Sequence, residues 1–283
     1  MPRSRNVWIS LDSDPDVIRG GLNASDTITN AQFLALLRIL FHAPGGFNAC
    51  KEGSSLPVRQ NDEVLPHGHY ILSPTTPGQV LEVTNDRYYP RTLSRSSSCR
   101  DATFVRDVRR RDRGCMVTGA IAMDAEDDYW SGFEAAHIFP LALSELFSSF
   151  DFPTVIPNER GINAPNNGIL LRADVHQLWD SYAIAVNPND GFRIQSFRGS
   201  SHQYHNTVLQ PACRHPEDPH RVIDALLTWH FKQAVLYNMR GAGEPSFEFD
   251  FPPGTDMVGL IREGPLPAER MEAELFGRLY GLT

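Results

Sequence analysis

The sequence predicts an α+β protein: a central strand–strand–helix unit, with an N-terminal α+β unit before it and C-terminal helices after it. Three observations carry that reading. Phe133, Ala135, His137 and Phe139 alternate along a strand that Pro140 ends. Gly168-Ile-Leu-Leu171 follows as a second short strand. Val175, Leu178, Trp179 and Tyr182 then fall at i, i+3, i+4 and i+7, the buried stripe of an amphipathic helix. With 283 residues the chain is long enough to bury a real core in one or two domains.

Along the chain, residues 1–85 read as a small α+β region. Val7-Trp-Ile-Ser10 is strand-like. Residues 29–42 predict a helix, with Phe33, Leu34, Leu36, Leu37, Ile39, Leu40 and Phe41 forming one broad buried face. Residues 67–72 and 79–84 predict strands around a turn at residues 74–78. His67 and His69 alternate on one strand face, which admits a metal pair, although a half-exposed strand accounts for them without one. Residues 86–99 read as an Arg/Ser-rich linker. A helix begins near Arg100, spaced by Phe104, Val105 and Val108 and stopped by Gly114. Residues 123–131 are an acidic loop, and residues 141–150 a helical turn. Residues 182–186 and 192–197 alternate around Asn187-Pro-Asn-Asp-Gly191 and predict a hairpin. Residues 219–240 predict a long helix and residues 268–280 a second. The boundaries that follow are 1–85, 86–99, a central domain at 100–200, and a C-terminal helical region at 201–283 that packs on the core.

Composition narrows the function classes. Apolar content of 41% and charge of 21% are those of a soluble globular protein. No stretch of about 18 apolar residues is present, so no membrane span is expected. The first residues lack an apolar signal core, so the expectation is an intracellular protein of nucleus or cytoplasm. Cys50, Cys99, Cys115 and Cys213 are far apart with no Cys-x-x-Cys pair, which argues against a zinc ribbon. A net charge of −8 argues against a protein that coats DNA, but it admits a nuclease with a local basic patch. Only Lys51 and Lys232 are lysines among the 26 cations, and arginine is the better bidentate phosphate ligand. The arginines of residues 100–113, Arg109, Arg110 and Arg111 among them, either grip phosphate or form a solvated face with internal ion pairs.

Two segments carry the chemistry. His137, flanked by Phe and Ala on its strand, sits in a partly buried pocket where it can stay neutral and accept a proton. Asp174 is placed to cap the following helix. His176 and Asp180, at i and i+4, share a face roughly 120° from the buried stripe. Such a pair is either a platform for a divalent cation or a hydrogen-bonded surface pair.

Cys115-Met-Val-Thr-Gly119, Ala135-Ala-His137-Ile-Phe-Pro140 and Asn166-Asn167-Gly168-Ile-Leu-Leu-Arg172-Ala-Asp-Val-His176-Gln-Leu-Trp-Asp180 appear in that order. These motifs resemble the HNH endonucleases, a ββα-metal fold, and in particular the HNH branch common in fungal hypothetical proteins. The resemblance covers roughly residues 100–200. It implies a metal-dependent endonuclease acting on DNA and leaving 5′-phosphate and 3′-hydroxyl ends. By resemblance His137 is the general base and Asn167 holds the loop and orients it. His176 is a metal ligand and Asp180 a second. The implied cofactor is one divalent ion: magnesium, manganese, zinc or nickel. Arg109, Arg110, Arg111 and Arg172 are the candidate substrate-binding residues. The mechanism requires the hairpin to bring His137 over the helix that carries His176.

Many HNH enzymes place Asp or His immediately before the catalytic histidine as a further ligand. Here that residue is Ala136, so water fills the position or Glu134, on the same strand face, reaches in. Two rival readings follow from this gap and from the negative charge. One is an HNH-fold enzyme acting on a small-molecule substrate, with His137 as its acid/base. The other is a catalytically silent binding protein.

Overall fold

The computed structural model describes residues 5–89, 91, 101–150, 152, 156, 160–241, 258–259 and 262. Helices and short strands mix along the chain as an α+β fold. The described residues fall in two compact units: one drawn from Met1–Pro90, Phe197–Gly199 and Val235–Thr283, the other from Arg91–Ser196 and Ser200–Ala234. No helix among the described residues is long and apolar enough to cross a membrane. The expected linker serines Ser96–Ser98 and the helix expected at residues 268–280 lie outside the described residues.

In the first unit the elements are β1 (Val7–Leu11), β2 (Gly20–Leu22), α1 (Asn30–Leu40), β3 (Phe41–His42), β4 (Phe47–Lys51), β5 (Gly68–Pro74) and β6 (Glu82–Val83). Four strands form one sheet in the order β2-β1-β5-β4, with β5 parallel to β1 and the other pairs antiparallel. A capping box starts α1: Thr29 accepts from the Gln32 backbone N–H while the Gln32 side chain accepts from the Thr29 N–H. Phe33, Leu37 and Leu40 on this helix and Val7, Ile9 and Leu72 in the sheet are fully buried. The strand expected at residues 79–84 shortens to β6, because the Gln79 side chain accepts from the Gly45 backbone N–H at 2.7 Å instead of entering a sheet.

His67 and His69 part company. His69 lies 2.9 Å from Ser10 Oγ and 3.3 Å from Glu52, whereas His67 approaches Asn6 and Asp26. They form no shared metal pair.

The second unit contains α2 (Ala102–Asp112), β7 (Phe133–His137), α3 (Ser144–Phe147), β8 (Gly168–Arg172), α4 (Ala173–Asp180), β9 (Ile184–Asn187), β10 (Arg193–Ser196) and the part of α5 (Asp224–Met239) that runs through Ala234. β7 and β8 pair antiparallel, with Glu134 opposite Leu171 and His137 opposite Gly168. The expected hairpin at residues 182–197 is β9–β10, turned by Asn187, whose side chain accepts from Asn189 N–H, and by Gly191 at φ 59°.

Three boundaries differ from expectation. Arg113, not Gly114, ends α2: it takes the left-handed conformation at φ 52° and donates its N–H to Arg109 O. Gly114 serves another purpose, since a Cβ there would lie 2.6 Å from the Ala120 carbonyl oxygen. Helix α4 stops at Asp180, ahead of Tyr182, which is itself left-handed at φ 54°. The long C-terminal helix begins at Asp224 rather than 219, after a turn closed by Asp218.

The core beneath the hairpin consists of Phe104 and Val108 from α2, Ala135 from β7 and Leu170 from β8, with Val105, Trp130 and Phe133 packed at its margin. Full burial of a side chain such as Phe104 contributes about 1.5–3 kcal/mol. Beyond the strand end, Phe139 is the hub of a second cluster with Phe147, Phe150, Phe152 and Trp229.

Candidate active site

The β7–β8 hairpin has two faces, and strand alternation assigns them. Glu134 and Ala136 point to one side, Ala135 and His137 to the other. On the first side Glu134 Oε2 meets His176 Nδ1 of α4 at 2.5 Å. On the second, the His137 ring stacks on Phe104 of α2 with centroids 3.9 Å apart and planes 8° apart. The His137 ring thus turns toward α2, while its backbone carbonyl lies against α4, where the Trp179 indole N–H donates to it at 3.3 Å.

Gly168 makes the Phe104–His137 stack possible. It sits opposite His137 in the ladder, and a Cβ there would lie 2.6 Å from the Phe104 ring. Only glycine lets that ring close over the strand pair. His137 is largely buried, and its Nε2 lies 3.3 Å from Asn163 Oδ1.

Asn167 is completely buried. Its Oδ1 accepts from Phe139 N–H at 2.7 Å, and its Nδ2 donates to the carbonyls of Phe139 and Ile162. The backbone that leaves His137 is thus clamped two residues downstream. Asn166 plays a parallel part, donating to the Pro219 and Arg221 carbonyls.

On the α4 face the charges form a chain. His176 Nδ1 faces Glu134, and its Nε2 faces Asp180 Oδ2 at 3.2 Å. Asp180 Oδ1 in turn pairs with Arg91 at 2.9 Å. Burial favours the neutral imidazole, but the Asp180 and Glu134 carboxylates outweigh it and hold the His176 pKa above its ordinary value. Burial would likewise raise Asp180, yet Arg91 and His176 hold that carboxyl down at about 2.

His230 of α5 stacks on Trp179 at 3.7 Å and is fully buried. Desolvation, with Arg91 nearby, keeps it neutral by pushing its pKa well down.

The expected substrate arginines separate. Arg111 is not on the exposed face: its side chain is 3% exposed and pairs with Asp112. It also donates to the carbonyls of Pro165, Gly168 and His220. It staples α2 to the start of β8, and no donor remains to meet phosphate. Arg109 lies over the Trp130 ring at 5.1 Å. Arg110 is 68% exposed, as is its neighbour Arg106 at 69%, and both lean on the buried Asp107. Arg172 is half-exposed and donates two hydrogen bonds to Asp174. Asp174 therefore caps nothing; the N-cap position is Arg172, without a side-chain cap. Sequence reading missed Arg91, whose partners are described below, and gave Glu134 only as a substitute for Ala136.

Among the described residues no three His, Cys, Asp or Glu side chains converge to hold an ion. The donor set decides what could bind. Glu134 and Asp180 lie on opposite edges of the His176 ring, so a site using all three is ruled out by geometry. His176 Nδ1 and the Glu134 carboxylate, 43% exposed, share one edge. Asp180 on the far nitrogen has the place of the carboxylate that orients a ligating histidine. Two such donors suit a hard divalent cation that keeps its remaining positions for water and phosphate oxygen. They do not suit a closed structural site.

No curated protein and no solved structure matches the chain. Residues 4–79 match the family model of a domain of unknown function. Residues 115–187, which hold β7, β8 and α4, match the family model described as HNH endonuclease. Hairpin, buried asparagine and helical histidine agree with that match, and the second unit of this chain contains a ββα-metal domain of the HNH endonuclease family.

Proposed function

We propose that the chain is a divalent-metal-dependent endonuclease that hydrolyses DNA phosphodiester bonds, with Glu134 and His176 as its metal ligands. The observation that carries this reading is the Glu134–His176–Asp180 line across the hairpin and α4. A hard carboxylate beside an imidazole whose far nitrogen faces Asp180 supports binding of a divalent metal, which HNH domains typically use. When bound, the ion would supply charge stabilisation at the phosphate and the departing oxygen.

The chain's own residues do the rest. Asp180 accepts the Nε2 proton of His176 and leaves Nδ1 as the donor atom. His176 must lose its second proton before it can ligate, so a cation competes with the proton that Asp180 and Glu134 retain. His137 is the proposed general base, its ring held by Phe104 and by Asn163 at Nε2. Asn167 holds the loop after His137, and so the direction of the strand end. Phosphate contacts fall to the exposed Arg106 and Arg110 on α2, in place of Arg111.

One observation favours a second reading. His137 is stacked face to face on Phe104 and largely buried, as a structural histidine would be. In that case the site cleaves with another base or is silent. Plasmid nicking with magnesium, manganese, nickel and zinc decides between them. Nicking by the wild type but not by His137→Ala or His176→Ala supports the proposal. Full activity in His137→Ala removes the base assignment, and no nicking by the wild type with any of the four metals contradicts the proposal.

A further inference from the structure

We infer that Arg91 is a positioning residue of this site, fixing the end of the His137 strand and the Asp180–His176 pair against each other. The inference rests on the role just proposed for His176. Arg91 lies in a stretch with no helical or strand pattern, yet its side chain is only 3% exposed. Its guanidinium donates to three oxygens: Nη1 to Ile138 O at 2.7 Å, Nη2 to His137 O at 2.7 Å, and Nη2 to Asp180 Oδ1 at 2.9 Å. Two are backbone carbonyls at the end of β7, and the third is the carboxylate that faces His176. The Trp179 indole N–H also donates to His137 O, at 3.3 Å, so α4 grips the same carbonyl from its own side.

A planar fork thus spans the strand end that carries His137 and the helix that carries His176. The fork carries charge as well as shape. His176 faces Glu134 from β7 and Asp180 from its own helix, and Arg91 stands behind Asp180.

Shape and charge can be separated. Lysine at position 91 keeps the charge but, as a point donor, cannot serve all three oxygens in one plane. Arg91→Met loses both. The test uses the full-length protein: ring-proton NMR shifts of the histidines in the metal-free form at one fixed pH, and plasmid nicking of the metal-loaded form. Arg91→Met is expected to shift the ring protons of His137 and His176 while those of His42, His67 and His69 stay in place, and to cut nicking by about 100-fold, as a misplacement near 1 Å can. Arg91→Lys is expected to give smaller ring shifts and still reduce nicking.

Unmoved His137 and His176 ring shifts in Arg91→Met overturn the inference, whether or not the protein cleaves DNA. Wild-type nicking in Arg91→Lys overturns the positioning fork. If no preparation nicks DNA, the proposed function fails while the ring shifts still decide the role of Arg91. If Arg91→Met does not fold, Arg91→Lys is combined with Asp180→Asn. Non-additive losses in metal affinity then support action through Asp180, and additive losses overturn it.

Discussion

On one face of the β7–β8 hairpin, Ala135 and His137 lie against Phe104 and Val108 in a core that admits no added methyl group at Gly168. On the other, Glu134 meets a histidine held by a carboxylate that is itself held by Arg91. The same two strands thus present a packed apolar wall on one side and a line of alternating charges on the other. The wall sets where the strands sit. The charged line is half open at Glu134 and is the part proposed to exchange a proton for a cation. Substitutions should accordingly separate by face: those on the α2 side cost stability, and those on the α4 side cost metal affinity.

The largest expected effect tests the wall. Arg111→Met leaves Asp112 buried without its cation and releases the carbonyls of Pro165, Gly168 and His220. A loss of about 3–5 kcal/mol is expected in denaturant unfolding. A variant of near wild-type stability that binds DNA more weakly would return Arg111 to the phosphate path.

Gly168→Ala should cost about 1–3 kcal/mol by overpacking Phe104. It should also displace Phe104 from the His137 ring, visible as a change in the His137 ring-proton shifts. A neutral outcome would mean that the stack is not a fixed part of the site.

On the other face, Glu134→Gln should change stability by no more than about 1 kcal/mol, because a partly exposed ion pair is worth little. The pH dependence sharpens the contrast. The folded pKa of His176 is raised, so in the metal-free protein its contribution is fully present below the ordinary histidine value and is lost as pH rises through the folded value. Asp180 is depressed to about 2, so its contribution holds above the ordinary carboxyl range and is lost only as pH falls toward 2. Metal affinity should run opposite to the His176 term, rising as that ring deprotonates. His176→Gln should remove the slope near neutrality in unfolding free energy against pH; an unchanged slope would assign it to another group.

The smallest effect concerns DNA. Replacing Arg106 and Arg110 together should flatten the slope of log K against log salt by about 1.8 if each meets one phosphate. An unchanged slope would place the DNA path elsewhere.

Much of this arrangement was legible beforehand, and the misses have physical reasons. The alternation at residues 133–139 and the apolar stripe at Val175 and Trp179 gave the strands and helix. Strand parity was also legible: Glu134 and His137 are three residues apart, so if one faces the helix the other cannot.

Arg111 was misplaced because a run of arginines reads as solvated. Its spacing from Phe104 and Val108, i+7 and i+3, nevertheless sets it on the buried stripe of α2. Arg91 was not recoverable. Two of its partners are backbone carbonyls 46 and 47 residues away, and a carbonyl carries no mark in the sequence. The left-handed Arg113 and Tyr182, which follow two helices where glycine would be expected, were hidden as well, since neither residue type signals that conformation.

The central claim is that Glu134 and His176 hold the cation and that His137 does not. Manganese titration followed by electron paramagnetic resonance, at a pH above the His176 midpoint, tests it directly. The account predicts that His137→Ala binds manganese like the wild type, while Glu134→Gln and His176→Ala each lose most of the affinity. Equal loss in His137→Ala, or undiminished binding in Glu134→Gln, would contradict it.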